Sequence, residues 1–312
     1  MKQPAASDFE IRVPASIANL GPGFDTLAIA VQLYLQLFVK VVSGDNKLEF
    51  EFINCELDGE NYIERAFRFL ARQRSEPSPS LHVRVESAIP LSSGLGSSAA
   101  ATVAGLRLYE SIAGPLSRQE LLNAACALER HPDNVAAALL GELTISCQLP
   151  DRSVLAVRVP WPESVRFVVL TPELALSTRD ARELLPPRVS REDAIFNLQH
   201  MALLLHALHR GDFSLLREAL QDRLHQPFRQ KLVPGLECAL ELEHPDMLGV
   251  CLSGAGPSIV VLAQQNFETI ENLLAETFRS TGVPFRIRTL RVHRELEPST
   301  MNRPIIELTP VR

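Results

Sequence analysis

A predicted strand that runs into a turn with two glycines, and then directly into a helix, is the feature that most restricts the fold of this chain. The turn and the start of the helix consist of Pro90, Leu91, Ser92, Ser93, Gly94, Leu95, Gly96, Ser97, Ser98, Ala99 and Ala100. Glycine lets a backbone approach an anion without a Cβ in the way. The free N–H groups and the dipole of a helix N-terminus attract negative charge. This order therefore predicts a phosphate-binding loop.

Three other interpretations of the loop are a capped turn, a Walker A loop and a dinucleotide-binding fingerprint. The simplest is a strand-to-helix turn with serine caps and no ligand. A Walker A loop requires Gly-Lys-Ser/Thr, and this segment contains no lysine. Residues 94–99 match the dinucleotide fingerprint G-x-G-x-x-A, which would indicate a nicotinamide or flavin oxidoreductase. That fingerprint requires a strand after its helix, whereas residues 99–128 have the pattern of two successive helices. A phosphate-binding loop of another class is therefore the favoured prediction, and the capped turn without a ligand remains the alternative.

The remaining pattern mixes strands and helices without strict βαβ alternation. Alternating or continuous apolar residues predict strands at 33–39, 48–53, 81–85, 143–148, 154–159, 165–170, 250–253, 258–263 and 285–292. The segment at 48–53 is expected to pair antiparallel with the strand before it, across a turn at 43–46. Ser117 and Glu120 predict a capping box that opens a helix. Such a mixture predicts an α+β fold with mixed sheets. Pro160-Trp161-Pro162 predicts a boundary between domains at 1–160 and 161–312.

Composition excludes several classes of protein. The 312 residues suit about two domains, and a formal net charge of −6 argues against a nucleic-acid partner. No stretch approaches the ~20 apolar residues that a membrane span needs. The five cysteines form no CxxC pair, so neither a zinc site nor a disulfide framework is expected. We therefore expect a cytoplasmic enzyme with reduced thiols.

Four motifs resemble those of the GHMP kinases, named for galactokinase, homoserine kinase, mevalonate kinase and phosphomevalonate kinase. One is the loop at residues 90–100, and the other three are Val13–Asp25, His131–Ala136 and Leu252–Ser258. Val13–Asp25 and His131–Ala136 resemble the homoserine kinases within that family, as does Ser177-Thr178 followed by Ala181-Arg182. The resemblance extends over most of the chain.

The resemblance implies a ribosomal-protein-S5-like N-terminal domain and a ferredoxin-like C-terminal domain, with ATP and Mg²⁺ at their junction. It implies phosphorylation of the hydroxyl of L-homoserine to O-phospho-L-homoserine, a precursor of threonine. A GHMP kinase acting on another small alcohol, such as an isoprenoid precursor, is one alternative. A non-catalytic nucleotide-binding paralog is another. Members of the family are often dimers, so the resemblance is compatible with a homodimer.

The resemblance also implies residues that bind the substrate. Arg182 and Arg229 match positions that hold the substrate carboxylate, which suits the planar fork of a guanidinium group. Asp25 resembles the residue that faces the substrate ammonium, and Asn19 is its polar neighbour. The alternatives are a solvated helix face for the arginines and ordinary turn chemistry for Asn19 and Asp25.

The implied catalytic residues are Asn134, His131 and Arg182. Asn134 matches the residue that meets the reacting hydroxyl, and an amide cannot accept a full proton. Phosphoryl transfer through a loose transition state needs mainly positioning and charge stabilisation, so we expect Asn134 to orient the hydroxyl without a strong base. His131 and Asp133 are the rival bases. Ser98 and Glu129 are the candidate Mg²⁺ ligands, because Mg²⁺ prefers oxygen.

The sequence departs from the family pattern at four positions. Arg130 and Glu142 stand where glycine is expected, Ala137 stands where proline is expected, and Ala28 stands where glycine is expected. None of these changes removes a predicted contact.

Overall fold

The protein is described from a computed structural model, which places residues 8–45, 47–54, 59–74, 79–129 and 131–294. The strands are β1 Phe9–Ala18, β2 Leu27–Asp45, β3 Leu48–Phe52, β4 Pro79–Ser87, β5 Leu143–Gln148, β6 Val154–Val159, β7 Arg166–Pro172, β8 Met247–Leu252, β9 Ile259–Ala263 and β10 Phe285–Leu290. The helices are α1 Tyr62–Arg74, α2 Ser97–Ala113, α3 Arg118–Leu128, α4 Pro132–Leu140, α5 Thr178–Glu183, α6 Arg191–Arg210, α7 Leu216–Ala219, α8 Gln226–Arg229, α9 Leu236–Leu240 and α10 Phe267–Arg279, and a 3-10 turn spans Phe213–Leu215.

The first sheet has the order β3-β4-β2-β5-β6, and β1 pairs with β2. The predicted antiparallel pairing of residues 48–53 with the preceding strand is wrong. β2 pairs with β4 and not with β3, with Leu37 opposite Val85. β3 instead pairs parallel with the far side of β4, with Phe50 opposite Val83. Helix α1 lies between β3 and β4, as a parallel pair requires a crossover connection. Asn46, within the predicted turn, lies outside the described residues.

Helices α1 and α3 follow from sequence signals that act locally. Ile63, Phe67 and Leu70 recur at helical spacing and are buried. The predicted capping box forms, because the Ser117 side chain accepts from the backbone N–H of Glu120 and the Glu120 side chain accepts from the backbone N–H of Ser117. The loop at residues 90–100 leads into α2 and the motif at residues 131–136 opens α4, and these two helices contact each other.

The second sheet is antiparallel, with the order β10-β7-β9-β8. Helix α10 buries Ile270, Leu274 and Phe278 in the core beside this sheet. One parallel pair in an otherwise antiparallel first sheet makes the structure an α+β fold with a mixed sheet, so that prediction is confirmed. The first sheet ends before residue 160 and the second begins after it, but the domain boundary itself stays a prediction.

Two further observations concern membrane-spanning helices and cysteines in the described residues. Within the described ranges, no helix is both long and apolar enough to cross a membrane. Cys126, Cys147, Cys238 and Cys251 are free thiols, and Cys55 lies outside the described residues.

Candidate active site

The loop at residues 90–100 ends in an open helix N-terminus. Gly96 is the N-cap of α2, with φ 71° and ψ 29°, in the left-handed region that glycine tolerates. No side chain among the described residues caps this end of the helix. The N–H of Ala100 donates to the Gly96 carbonyl at 2.9 Å, so the N–H groups of the three residues between them remain for a ligand. This is the arrangement that an anion binds.

The third motif supports the loop from behind. Ser253 Oγ donates to the Gly94 carbonyl at 2.7 Å, and the Ser258 N–H donates to the Ser93 carbonyl at 3.1 Å. A Cβ on Gly94 would lie 2.4 Å from the Ser253 carbonyl oxygen. The close approach therefore requires glycine at position 94, and it fixes the loop to the second sheet.

Ser98 and Glu129 meet at the start of α2. Ser98 Oγ donates to Glu129 Oε1 at 2.7 Å, and Thr102 Oγ1 donates to the same oxygen at 2.9 Å. Arg65 lies 3.6 Å from that carboxylate. Adjacent hydroxyl and carboxylate oxygens are the donors that Mg²⁺ takes, so these residues fit the ion.

A cavity of about 740 Å³ joins the helix start to the second half of the chain. Its lining consists of Tyr62, Arg65, Ser98, Leu128, Glu129, His131, Thr178, Arg179, Arg182 and Glu183. The predicted metal residues and two of the predicted catalytic residues therefore share one space. Asn19, Asp25, Asn134 and Arg229 are not in this lining, and they connect to it through the contacts described next.

Asp25 and Arg182 form a two-bond ion pair beside the cavity. The two guanidinium nitrogens of Arg182 donate to the Asp25 carboxylate at 3.0 and 2.7 Å. His131 Nδ1 lies 3.5 Å from the same carboxylate. The structure thus brings together three residues that the sequence places in separate motifs.

Asn134 is held at both ends of its amide. Ser16 Oγ donates to Asn134 Oδ1 at 2.7 Å, and Asn134 Nδ2 donates to Asp133 Oδ1 at 3.3 Å. Burial raises the pKa of Asp133 to about 6, and the nearby Asp25 charge adds to the rise. A Cβ on Gly96 would lie 2.2 Å from Ser16 Oγ and 3.1 Å from Asn134 Oδ1. The candidate catalytic amide therefore lies against the cap of the phosphate loop.

Asn19 and Arg229 converge on one backbone carbonyl. Asn19 Nδ2 donates to the Gly254 carbonyl at 2.9 Å, and its Oδ1 accepts from the Asp25 N–H at 3.1 Å. One guanidinium nitrogen of Arg229 donates to the same carbonyl at 2.8 Å. The Asn19 amide is thus committed to backbone groups, and it joins the first motif to the third.

Arg182 and Arg229 each have one buried guanidinium atom without a hydrogen-bond partner in the described structure. The Nε atoms of Arg182 and Arg229 are buried and have no hydrogen-bond acceptor in the part of the chain that the structure describes. The carbon centres of both guanidinium groups lie 5.2 and 5.3 Å from the Phe24 ring centroid. Burial, followed by the nearby Arg182 charge, lowers the pKa of Arg229 to about 10. An anion beside these two arginines would satisfy both orphan donors.

Sequence reasoning missed Ser16, Phe24 and His225, all of which contact predicted site residues. Ser16 and Phe24 fall inside the first motif, and that membership was the signal that could have found them. His225 lies four residues before Arg229, which is helical spacing.

Three departures from the family pattern, Ala28, Ala137 and Glu142, lie outside the cavity lining. Glu142 adopts a left-handed conformation, with φ 55°, where glycine was expected, and its carboxylate pairs with Arg294 at 3.2 Å. Ala28 and Ala137 are fully buried in one small apolar cluster. Arg130 lies outside the described residues.

Comparisons with known proteins agree with this geometry. The family model for the GHMP kinases N terminal domain matches residues 61–142, and the one for GHMP kinases C terminal matches residues 204–280. A homoserine kinase of Solibacter usitatus is 39% identical over 280 residues, which cover 88% of this chain and 91% of that protein. A homoserine kinase of a Synechococcus strain is 38% identical over 292 residues, covering 90% and 94% of the two chains.

A solved structure shows the same fold. The crystal structure of homoserine kinase from Cytophaga hutchinsonii superposes with a TM-score of 0.83 at 24% identity, over 94% of this chain and 97% of that one. The predicted GHMP kinase fold is confirmed by this likeness and by the two matching family models. By its sequence similarity to the curated relatives, the chain belongs to the GHMP kinase family, in its homoserine kinase branch.

Proposed function

We propose that this chain transfers the γ-phosphoryl group of ATP to the hydroxyl of L-homoserine and forms O-phospho-L-homoserine for threonine biosynthesis. The observation that carries the proposal is the single cavity whose lining includes both Ser98, at the open start of α2, and Arg182, beside Asp25. A phosphate site and an amino-acid site open to one space, as a direct transfer requires. The relatives named homoserine kinase support the same substrate. Free thiols support a cytoplasmic location.

The nucleotide phosphates would bind the loop at residues 90–100. Backbone N–H groups from Ser97 to Ala99 supply donors, while Ala100 supports the helix behind them. Mg²⁺, when bound, neutralises charge on the phosphates. Ser98 and Glu129 would hold it, with waters and phosphate oxygens as the remaining ligands.

The zwitterion of the substrate would exchange partners with the protein's own ion pair. Its ammonium would pair with Asp25, and its carboxylate would accept from Arg182 and Arg229. Both arginines have a buried Nε without an acceptor in the described structure. A buried donor without an acceptor costs about 1–3 kcal/mol of free energy. A substrate carboxylate that accepts from these donors would remove this cost. Mevalonate carries a carboxylate but has no ammonium to offer Asp25.

Asn134 would orient the reacting hydroxyl. Its carbonyl oxygen accepts from Ser16 and its amide nitrogen donates to Asp133, so its orientation is fixed before substrate arrives. An amide cannot hold the hydroxyl proton, which would pass to the transferred phosphate late in the reaction. His131 would serve the site through Asp25, which it approaches at 3.5 Å.

The test is release of ADP by the purified protein with ATP and Mg²⁺. L-homoserine is expected to give stoichiometric ADP, while L-threonine and mevalonate give little above the background. Turnover with mevalonate but not with L-homoserine would indicate a GHMP kinase with another alcohol substrate. Binding of ATP without ADP release from any alcohol would indicate a non-catalytic paralog. Either result would reject the proposal.

A further inference from the structure

His225 is a buried imidazole that joins the first motif to Arg229. It is fully buried at the N-cap of α8. Its Nε2 lies 2.8 Å from the Gly21 carbonyl oxygen, and its Nδ1 lies 3.2 Å from a guanidinium nitrogen of Arg229. Its ring stacks on Phe24, with centroids 5.3 Å apart and an interplanar angle of 22°.

The partners of the two ring nitrogens fix the tautomer. A guanidinium group can only donate, so Nδ1 of His225 must accept from Arg229 and cannot carry a proton. A carbonyl oxygen can only accept, so Nε2 must carry the proton that it donates to Gly21. The Asp222 carboxylate lies 3.5 Å from Nε2, and as an acceptor it also favours a proton there. The ring is therefore neutral and protonated at Nε2.

The surroundings hold this ring in one place. The buried Asp222 carboxylate accepts from the backbone N–H groups of His225 at 2.9 Å and Gln226 at 2.7 Å. Asn197 Nδ2, from α6, donates to Asp222 at 2.7 Å. Gln226 Oε1 accepts from the Leu252 N–H at 2.7 Å. The imidazole is thus anchored to β8 and α6 rather than free to follow Arg229.

We propose that His225 is a positioning residue for substrate binding: as the Nε2–H tautomer it holds the Arg229 guanidinium in the orientation that receives the substrate carboxylate. This inference rests on the proposed function. Arg229 then has one nitrogen held by both the Gly254 carbonyl and His225 Nδ1, and the rest of its planar fork is oriented as a consequence. Nothing in this role transfers a proton.

The charges around the ring agree with a neutral imidazole. Burial is the main cause that lowers the pKa of His225, and the Arg229 charge lowers it further. The carboxylates of Asp222 and Asp25 act in the opposite direction. A second proton would sit on Nδ1 and face the Arg229 guanidinium, so protonation and the bond to Arg229 exclude each other.

Two substitutions separate the two ends of the ring. His225→Asn places an amide oxygen where Nδ1 lies and keeps an acceptor for Arg229, but it cannot reach Gly21. His225→Gln places an amide nitrogen near Nε2 and keeps the donor to Gly21, but it leaves Arg229 without its acceptor. We expect His225→Gln to raise KM for L-homoserine about tenfold, as loss of a charged hydrogen bond would. In His225→Asn, KM for L-homoserine should stay within about twofold of its value in the unchanged protein.

The kcat and KM values of the two variants test the proposed role of His225. Both variants should keep kcat and KM for ATP within about twofold of the unchanged protein, because ATP does not contact His225 in the proposal. Equal KM increases for L-homoserine in both variants, or no increase in His225→Gln, would overturn the proposal. So would a loss confined to kcat.

A measurement on the unchanged protein does not depend on the variants folding. ¹⁵N–¹H correlation spectra of histidine-labelled protein at neutral pH should show one buried imidazole, assigned by through-space contacts to Phe24, with Nδ1 bare and Nε2 protonated. An Nδ1–H tautomer or an imidazolium would overturn the inference. The expected tautomer in a protein that fails to phosphorylate L-homoserine would reject the proposed function, and with it the role toward the carboxylate.

Discussion

Asn134 and His131 lie three positions apart and separate two mechanisms at the scale of single residues. Asn134→Ala removes the amide that is fixed by Ser16 and Asp133, so kcat should fall about a hundredfold, as expected for a lost positioning contact. His131→Ala should lower kcat less than tenfold, since His131 acts through Asp25 in this account. Steady-state kcat of both variants with L-homoserine checks this. Intact turnover in Asn134→Ala together with its abolition in His131→Ala would show that histidine is the base.

The single residues differ in how far the sequence could predict them. Asp25 and Arg182 fall in recognisable motifs, and the structure pairs them at 2.7 Å although they are 157 positions apart. Ser16 was missed although it lies inside the first motif, because its partner, Asn134, is 118 positions away and the motif does not indicate that contact. His225 was missed for a similar reason, because its bond to Gly21 joins residues 204 positions apart.

At the scale of elements, two helix-capping glycines allow a matched comparison. Gly96 is the N-cap of α2, and Gly211 is the C-cap of α6. Gly96 and Gly211 share a φ of 71°, but a Cβ at Gly211 meets nothing within 4 Å, whereas one at Gly96 would lie 2.2 Å from Ser16 Oγ. Gly211→Ala should cost only the left-handed strain, about 1–2 kcal/mol of unfolding free energy, and leave kinetics unchanged. Gly96→Ala should also raise KM for ATP about tenfold or more.

Urea unfolding and ATP saturation curves on the two glycine variants measure these effects. If Gly96→Ala matched Gly211→Ala in both stability and KM for ATP, the close contact between the loop and Ser16 would not matter for nucleotide binding.

Elements with local start signals were predicted closely, and elements defined by distant pairing were not. Helix α3 begins after Ser117 and ends at Leu128 as the capping box and apolar spacing predict. The partner of β3 was predicted wrongly, because apolar alternation fixes which face a strand buries but not which neighbour it takes. The short helices α7 to α9 had weak signals, since four or five residues are too few to show a helical period.

At the scale of the whole molecule, one hydrophobic cluster extends from the first sheet to the second, beside a separate cluster under α10. A single buried cluster includes Val85 from the first sheet and Leu262 from the second, together with Leu204 of α6. Residue Val292 returns to form a bridge with Val31 of the first sheet. The candidate active site lies where the first and third motifs meet, as the hydrogen bond from Asn19 to the Gly254 carbonyl shows. Cleaving the chain at the predicted boundary near residue 160 would therefore divide both the core and the site.

In the proposed reaction, a phosphoryl group passes from ATP to the hydroxyl of an amino acid within the cavity that Ser98 and Arg182 line. The most direct measurement is ³¹P NMR of the protein incubated with ATP, Mg²⁺ and L-homoserine. A new phosphomonoester signal, coupled to the side-chain methylene protons of homoserine, should grow in step with ADP. Growth of inorganic phosphate without that signal, or an unchanged ATP spectrum, would contradict it.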